Sequence, residues 1–124
     1  MSSKGDPLMT DNAPTSVLTL EVEHTGSTAV VRCHGKLVLG VQDVLYLKVK
    51  QLIPDAKLIV LDLTDLSRMD SMGLGTLVRL YVSARNAGCT LELKNLGPQV
   101  RQLLGVTNML SVFTVVGEHN IRLG

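Results

Sequence analysis

The chain reads as an α/β domain built on a mixed, largely parallel sheet, and three observations predict this. Two strand-like runs are joined by a link so short, His24-Thr25-Gly26-Ser27, that they must pair antiparallel. Each later strand-like run is separated from the next by a helical pattern, and a helical crossover returns a chain to a parallel neighbour. The apolar run Leu58-Ile59-Val60-Leu61, with Leu63, is short and partly β-branched, as befits a strand buried on both faces. About three main helices are expected to pack on the sheet, behind an N-terminal antiparallel hairpin.

Residues 1–14 carry Ser, Gly, Asp, Asn and Pro with few apolar side chains, and are expected to form a flexible tail. The domain is placed at 15–117, with 118–124 as a second tail. Val17-Leu18-Thr19-Leu20-Glu21-Val22-Glu23 alternates as the first strand, and Thr28-Ala29-Val30-Val31-Arg32-Cys33-His34 is the second, ended by Gly35. Lys36-Leu37-Val38-Leu39-Gly40 then links into a helix whose apolar positions are Val41, Val44, Leu45, Leu47 and Leu52, stopped by Pro54. The third strand is Leu58 to Leu63, followed by a polar loop.

Leu74, Leu77, Val78 and Tyr81 recur at i, i+3, i+4 and i+7, which predicts a second helix. It ends at Asn86-Ala87-Gly88 with Arg85 in its last turn. Cys89 to Lys94 alternates as a fourth strand. Pro98 suits the first turn of a third helix, carrying Val100, Leu103 and Leu104 and ending near Gly105. Val112 to Val116 is the last strand.

Composition excludes several functions. With 124 residues and 45% hydrophobic content the chain holds one domain with a real core. Lys plus Arg number 12 against 11 Asp plus Glu, and Phe113, Tyr46 and Tyr81 are the whole aromatic set. Nucleic-acid binding therefore lacks both the phosphate-neutralising charge and the stacking residues it needs. No apolar run approaches the ~20 residues of a membrane span, and no secretory leader is visible. Cys33 and Cys89 fall in apolar strands and read as buried free thiols of a reducing compartment. A cytoplasmic protein is expected.

The candidate chemistry gathers at Met69-Asp70-Ser71-Met72-Gly73-Leu74-Gly75, where a strand runs through a loop into a helix. Either Asp70 or Ser71 can cap that helix. A hydroxyl at Ser71 would be solvent-accessible and face unpaired backbone N–H groups, a setting that favours negative charge, phosphate included. A hydrolytic nucleophile elbow, G-x-S-x-G, fits poorly, because Met69 stands where the first glycine belongs and only His119 follows as a base. His24, His34 and His119 lie on separate elements without metal-ligand spacing. Gly73-Leu74-Gly75 lacks the third glycine and the Lys-Ser/Thr of nucleotide-binding loops. No catalytic residue, metal or cofactor is expected. Gly73 and Gly75 are read as small residues that let the helix start approach neighbouring backbone.

The segment from Leu58-Ile59-Val60-Leu61-Asp62-Leu63 to Met69-Asp70-Ser71-Met72-Gly73-Leu74-Gly75 resembles the signature of the STAS-domain anti-sigma-factor antagonists. There an apolar strand leads to Asp-Ser-(Ser or Thr)-Gly-(Leu or Ile)-Gly at a helix start. The likeness extends over roughly residues 15–117, including Gly97-Pro98-Gln99-Val100-Arg101-Gln102-Leu103-Leu104 and Asn108 to Phe113.

The resemblance implies a protein-binding switch that regulates transcription. The unmodified form would bind an anti-sigma factor that is also a serine kinase and so free sigma. Phosphorylation at Ser71 would end that binding, with a phosphatase as a further partner. It places partner contacts at Asp70, Ser71, Met72, Gly73, Lys36 and Val38. Two departures stand out: Met72 replaces the usual Ser or Thr, and Gly35-Lys36-Leu37-Val38 replaces a Gly-Glu-Leu-Asp-like segment, so both acids are gone. The alternative implied by these departures is a STAS module that docks a signalling complex without a phosphorylation switch.

Overall fold

The computed structural model describes residues 17–116, the last three by backbone alone. The elements follow the expected order: β1 (Leu18–Thr25), β2 (Thr28–Leu37), α1 (Gln42–Leu52), β3 (Leu58–Met69), α2 (Ser71–Asn86), β4 (Thr90–Lys94), α3 (Pro98–Val106) and β5 (Thr114–Val116). A single 3-10 turn, Ile53–Asp55, carries Pro54 just past α1. The tails expected at 1–14 and 118–124 lie outside the described residues.

Strand order in the five-stranded sheet equals chain order. β1 pairs antiparallel with β2, and β2, β3, β4 and β5 are mutually parallel. Each crossover therefore steps one strand in the same direction, and right-handed connections then put successive helices on one face. Burial agrees. A single core unites Leu45 and Val49 of α1, Leu77, Leu80 and Ala84 of α2, and Val100 and Leu104 of α3 with Ala29, Val31, Cys33, Ile59, Leu61, Leu63, Leu91 and Leu93 of the strands. The alternate strand residues, Glu21, Glu23, Arg32, His34, Asp62, Glu92 and Lys94, turn to the other face, which no described element covers. The expectation of a strand buried on both faces is met at Val60, 8% exposed on that second face, and fails at Asp62.

Among the boundaries that differ from the sequence reading, three bear on the site and the core. β2 runs on through Gly35 to Leu37, because Gly35 at φ +108 lets β1 close over it. A Cβ there would sit 2.0 Å from the Val17 carbonyl oxygen. β3 continues through the supposed polar loop to Met69, its buried residues Leu63, Leu66 and Met69 recurring every third position. Register shifts against β2, between Arg32 and His34 and between Gly35 and Lys36, accompany that change and break the two-residue alternation that marks a strand. β5 starts at Thr114 rather than Val112, because Val112 closes a turn to the Met109 carbonyl and buried Phe113 packs edge-on against Tyr81 at 5.5 Å.

Helix faces are also rotated from the expected ones. In α2 the deepest stripe is Gly73, Thr76, Leu77, Leu80 and Ala84, with Leu74, Val78 and Tyr81 half-buried beside it. In α1 Leu47 points to solvent at 61% exposure. Cys33 and Cys89 are free and buried, as expected.

Candidate functional site

The site is the junction of β3 and α2, at the C-terminal end of the parallel strands. Asp70, in extended conformation, is the residue that caps α2, and Ser71 is the first helical residue. Asp70 Oδ1 accepts the N–H groups of Met72 at 3.0 Å and Gly73 at 3.1 Å. Its other oxygen, Oδ2, accepts the Leu39 N–H at 2.9 Å, tying the link after β2 to the helix start. Partial burial opposes the charged form. The N–H groups of Leu39, Gly73 and Met72 outweigh it and hold the Asp70 carboxyl below the usual carboxylate range.

This changes one expectation. The N–H groups of Met72 and Gly73 are not free to meet a phosphate on Ser71, because Asp70 already holds them. What remains favourable to an anion is the dipole of a 16-residue helix.

The junction is pressed tightly onto β2. A Cβ on Gly73 would lie 2.3 Å from the Leu37 carbonyl oxygen and 2.8 Å from Met69 Cγ, so only glycine fits. Gly75 has nothing within 4 Å of such an atom, so close approach does not explain it. From the other side Gln99 of α3 clamps Met69, accepting its N–H at 2.8 Å and donating to its carbonyl at 3.0 Å. Ser71 is thus mounted on a backbone fixed by three neighbouring segments.

The Ser71 hydroxyl is exposed and makes no hydrogen bond with any described residue. It opens on a shallow groove between α1 and α2 lined by Gln42, Asp43, Met72, Gly75, Thr76 and Arg79. Arg79 lies over the Tyr46 ring at 4.3 Å. No base is hydrogen-bonded to the serine among the described residues, and His119 lies outside them. His34 sits in the sheet, between Asp65 at 3.0 Å and Glu21 at 3.3 Å. No group of three or more His, Cys, Asp or Glu side chains is placed to hold a metal among the described residues.

The other expected contact residues divide. Met72 is exposed at 43%, beside Ser71. Gly73 is buried, so it acts by seating the helix. Lys36 is exposed but belongs to β2 rather than to a loop, and Val38 is half-buried against the core. The sequence reading missed Leu39, 68% exposed and held by Asp70, although an apolar residue beside Gly40 in a short link was a visible sign. It also missed Gln99, for which no local pattern gives a sign.

Residues 19–121 match the STAS domain family. The chain belongs to that family. An anti-sigma F factor antagonist from Paenibacillus polymyxa is 27% identical over 100 residues, 79% of this chain and 86% of the relative. Among solved structures, an anti-sigma factor antagonist from Mycobacterium paratuberculosis superposes with a TM-score of 0.74 at 22% identity, covering 87% of this chain and 92% of that one. The anti-sigma factor antagonist SpoIIAA in its unphosphorylated form gives 0.69 at 22% identity, over 81% and 90% of the two chains. The Bacillus SpoIIAA in its phosphorylated form gives 0.64 at 21% identity, over 81% and 93%. At these identities the solved structures establish a shared STAS fold. No helix among the described residues is long and apolar enough to cross a membrane.

Proposed function

We propose that this STAS domain is an anti-sigma-factor antagonist switched at Ser71. The unmodified protein binds a kinase-type anti-sigma factor and releases sigma; phosphorylation of Ser71 ends the binding. The observation that carries the reading is the mounting of Ser71: an exposed, unbonded hydroxyl at the first position of a helix whose start is immobilised by Asp70, Gly73 and Gln99. The names of the relatives point the same way. A kinase reaches such a hydroxyl without unfolding anything.

The physics of the off state follows. Phosphate adds about −1.5 to −2 charge, next to the Asp70 carboxylate and in the groove that Asp43 lines. The helix dipole offsets part of this in the free domain. At a packed interface the same charge is desolvated without a guaranteed counter-ion, which weakens association.

Incubating the protein with ATP and each kinase-type anti-sigma factor of its source organism, then mapping phosphate by mass spectrometry, tests the reading. One of them is expected to modify Ser71, and a Ser71→Ala protein should stay unmodified. A Ser71 left bare by every candidate would leave a docking module without a switch.

A further inference from the structure

The end of the sheet beside Ser71 carries a charge pair that the fold does not use. Lys36 of β2 and Arg68 of β3 are direct neighbours in the parallel register. Their successors, Leu37 and Met69, are fully buried on the helix face, so both cations project from the uncovered face. Both are exposed, and neither side chain has an ion pair or hydrogen bond with a described residue. Elsewhere on that face Arg32 is neutralised, lying 2.8 Å from Glu23 and 3.9 Å from Asp62. Like charges held side by side on adjacent strands cost stability. The pair brings no internal gain to set against that cost.

Three residues after Lys36 and four after Arg68, apolar side chains are held out in solvent. Leu39 is fixed by its N–H bond to Asp70, and Met72 stands on the first turn of α2. Cations beside exposed apolar anchors form a surface complementary to acids around an apolar recess.

We infer that the partner meets this end of the sheet with an acidic surface, its carboxylates at Lys36 and Arg68 and an apolar recess over Leu39. The inference rests on the proposed function and gives that partner its chemistry. It also supplies the missing force in the switch. A phosphate on Ser71 confronts the partner's own negative charge, so repulsion adds to desolvation.

Calorimetric titration of the 124-residue chain with each purified kinase-type anti-sigma factor of the source organism tests this. One factor is expected to bind, with an affinity that falls as salt is raised. Lys36→Glu and Arg68→Glu should each weaken binding at low salt by roughly five- to tenfold, and Leu39→Ser by about tenfold. Lys36→Glu places unlike charges across the strands, so its melting temperature should match or exceed that of the wild type. That result separates lost contact from lost fold.

If no factor binds any form, the proposed function and this inference fall together. If one binds and both charge reversals bind it as tightly as wild type at low salt, only the acidic partner is overturned. It is also overturned if the charge effects vanish on deleting residues 1–16, because the cations would then serve the chain's own N-terminal segment.

Discussion

Asp70 does two jobs with one carboxylate: it caps α2 and holds the link that carries Leu39. Loss of a cap of this kind costs about 1 kcal/mol, so Asp70→Ala should lower unfolding free energy by at least that much at neutral pH. The sign of the pH dependence follows from the lowered pKa. The contribution is complete above the unfolded value of about 3.9 and is lost as pH falls through the still lower folded value. Urea unfolding curves of wild type and Asp70→Ala should therefore converge in strong acid. A gap that stays constant from neutral to strong acid would remove the carboxylate from the explanation.

The two glycines make a second contrast at this scale. Gly73→Ala forces an atom against the Leu37 carbonyl and should cost about 2–3 kcal/mol. Gly75→Ala meets open space within a helix and should stabilise by about 0.5–1 kcal/mol. Thermal melts of the two variants moving in the same direction would contradict this. The pair Gly73 and Gly75 looked alike in sequence. Only the path of β2 over the helix start, a tertiary fact, tells them apart, just as it decides that Asp70 rather than Ser71 is the cap.

At the scale of elements, periodicity carried the reading where strands alternate and helices show a stripe, as in β4 and α3. It broke down where geometry is irregular. The second half of β3 buries Leu63, Leu66 and Met69, a spacing of three that resembles a polar loop when a period of two is sought. The bulged register with β2 is what makes it a strand, and that register is set by a partner distant in sequence. α2 was legible as a helix but not in its rotation: Leu74, Val78 and Tyr81 lie half-buried beside the deepest stripe, Tyr81 against Phe113. Gln99 joins α3 to the end of β3 through both polar groups of the Met69 peptide. Gln99→Ala strands those groups and should cost about 1–3 kcal/mol. Amide exchange at Met69 should quicken in step, and unchanged protection there would refute the clamp.

Among the described residues the fold is one-sided: stepwise right-handed crossovers place α1, α2 and α3 over one face, and a charged face is left on the other. The element order made the parallel sheet legible, but the strand order that leaves one face uncovered needed the structure. Cys33 reports on the integrity of the covered side. Burial, with Asp62 behind it, pushes its thiol up to about 12, so little reactive thiolate forms at neutral pH. Alkylation of Cys33 by iodoacetamide should proceed only through unfolding and track the denaturation midpoint. Labelling of native protein at the rate of a free thiol would mean that this side of the sheet opens locally.

All three scales converge on Ser71, whose exposure depends on a fixed backbone and whose surroundings decide what a phosphate does. The most direct measurement is the affinity of wild type, Ser71→Ala and Ser71→Asp for the cognate kinase-type anti-sigma factor in one calorimetric series. Wild type and Ser71→Ala should bind alike, Ser71→Asp should bind about tenfold or more weakly, and prior incubation with ATP should abolish binding only where Ser71 is present. Equal affinity of wild type and Ser71→Asp, with ATP making no difference, would contradict the switch at Ser71.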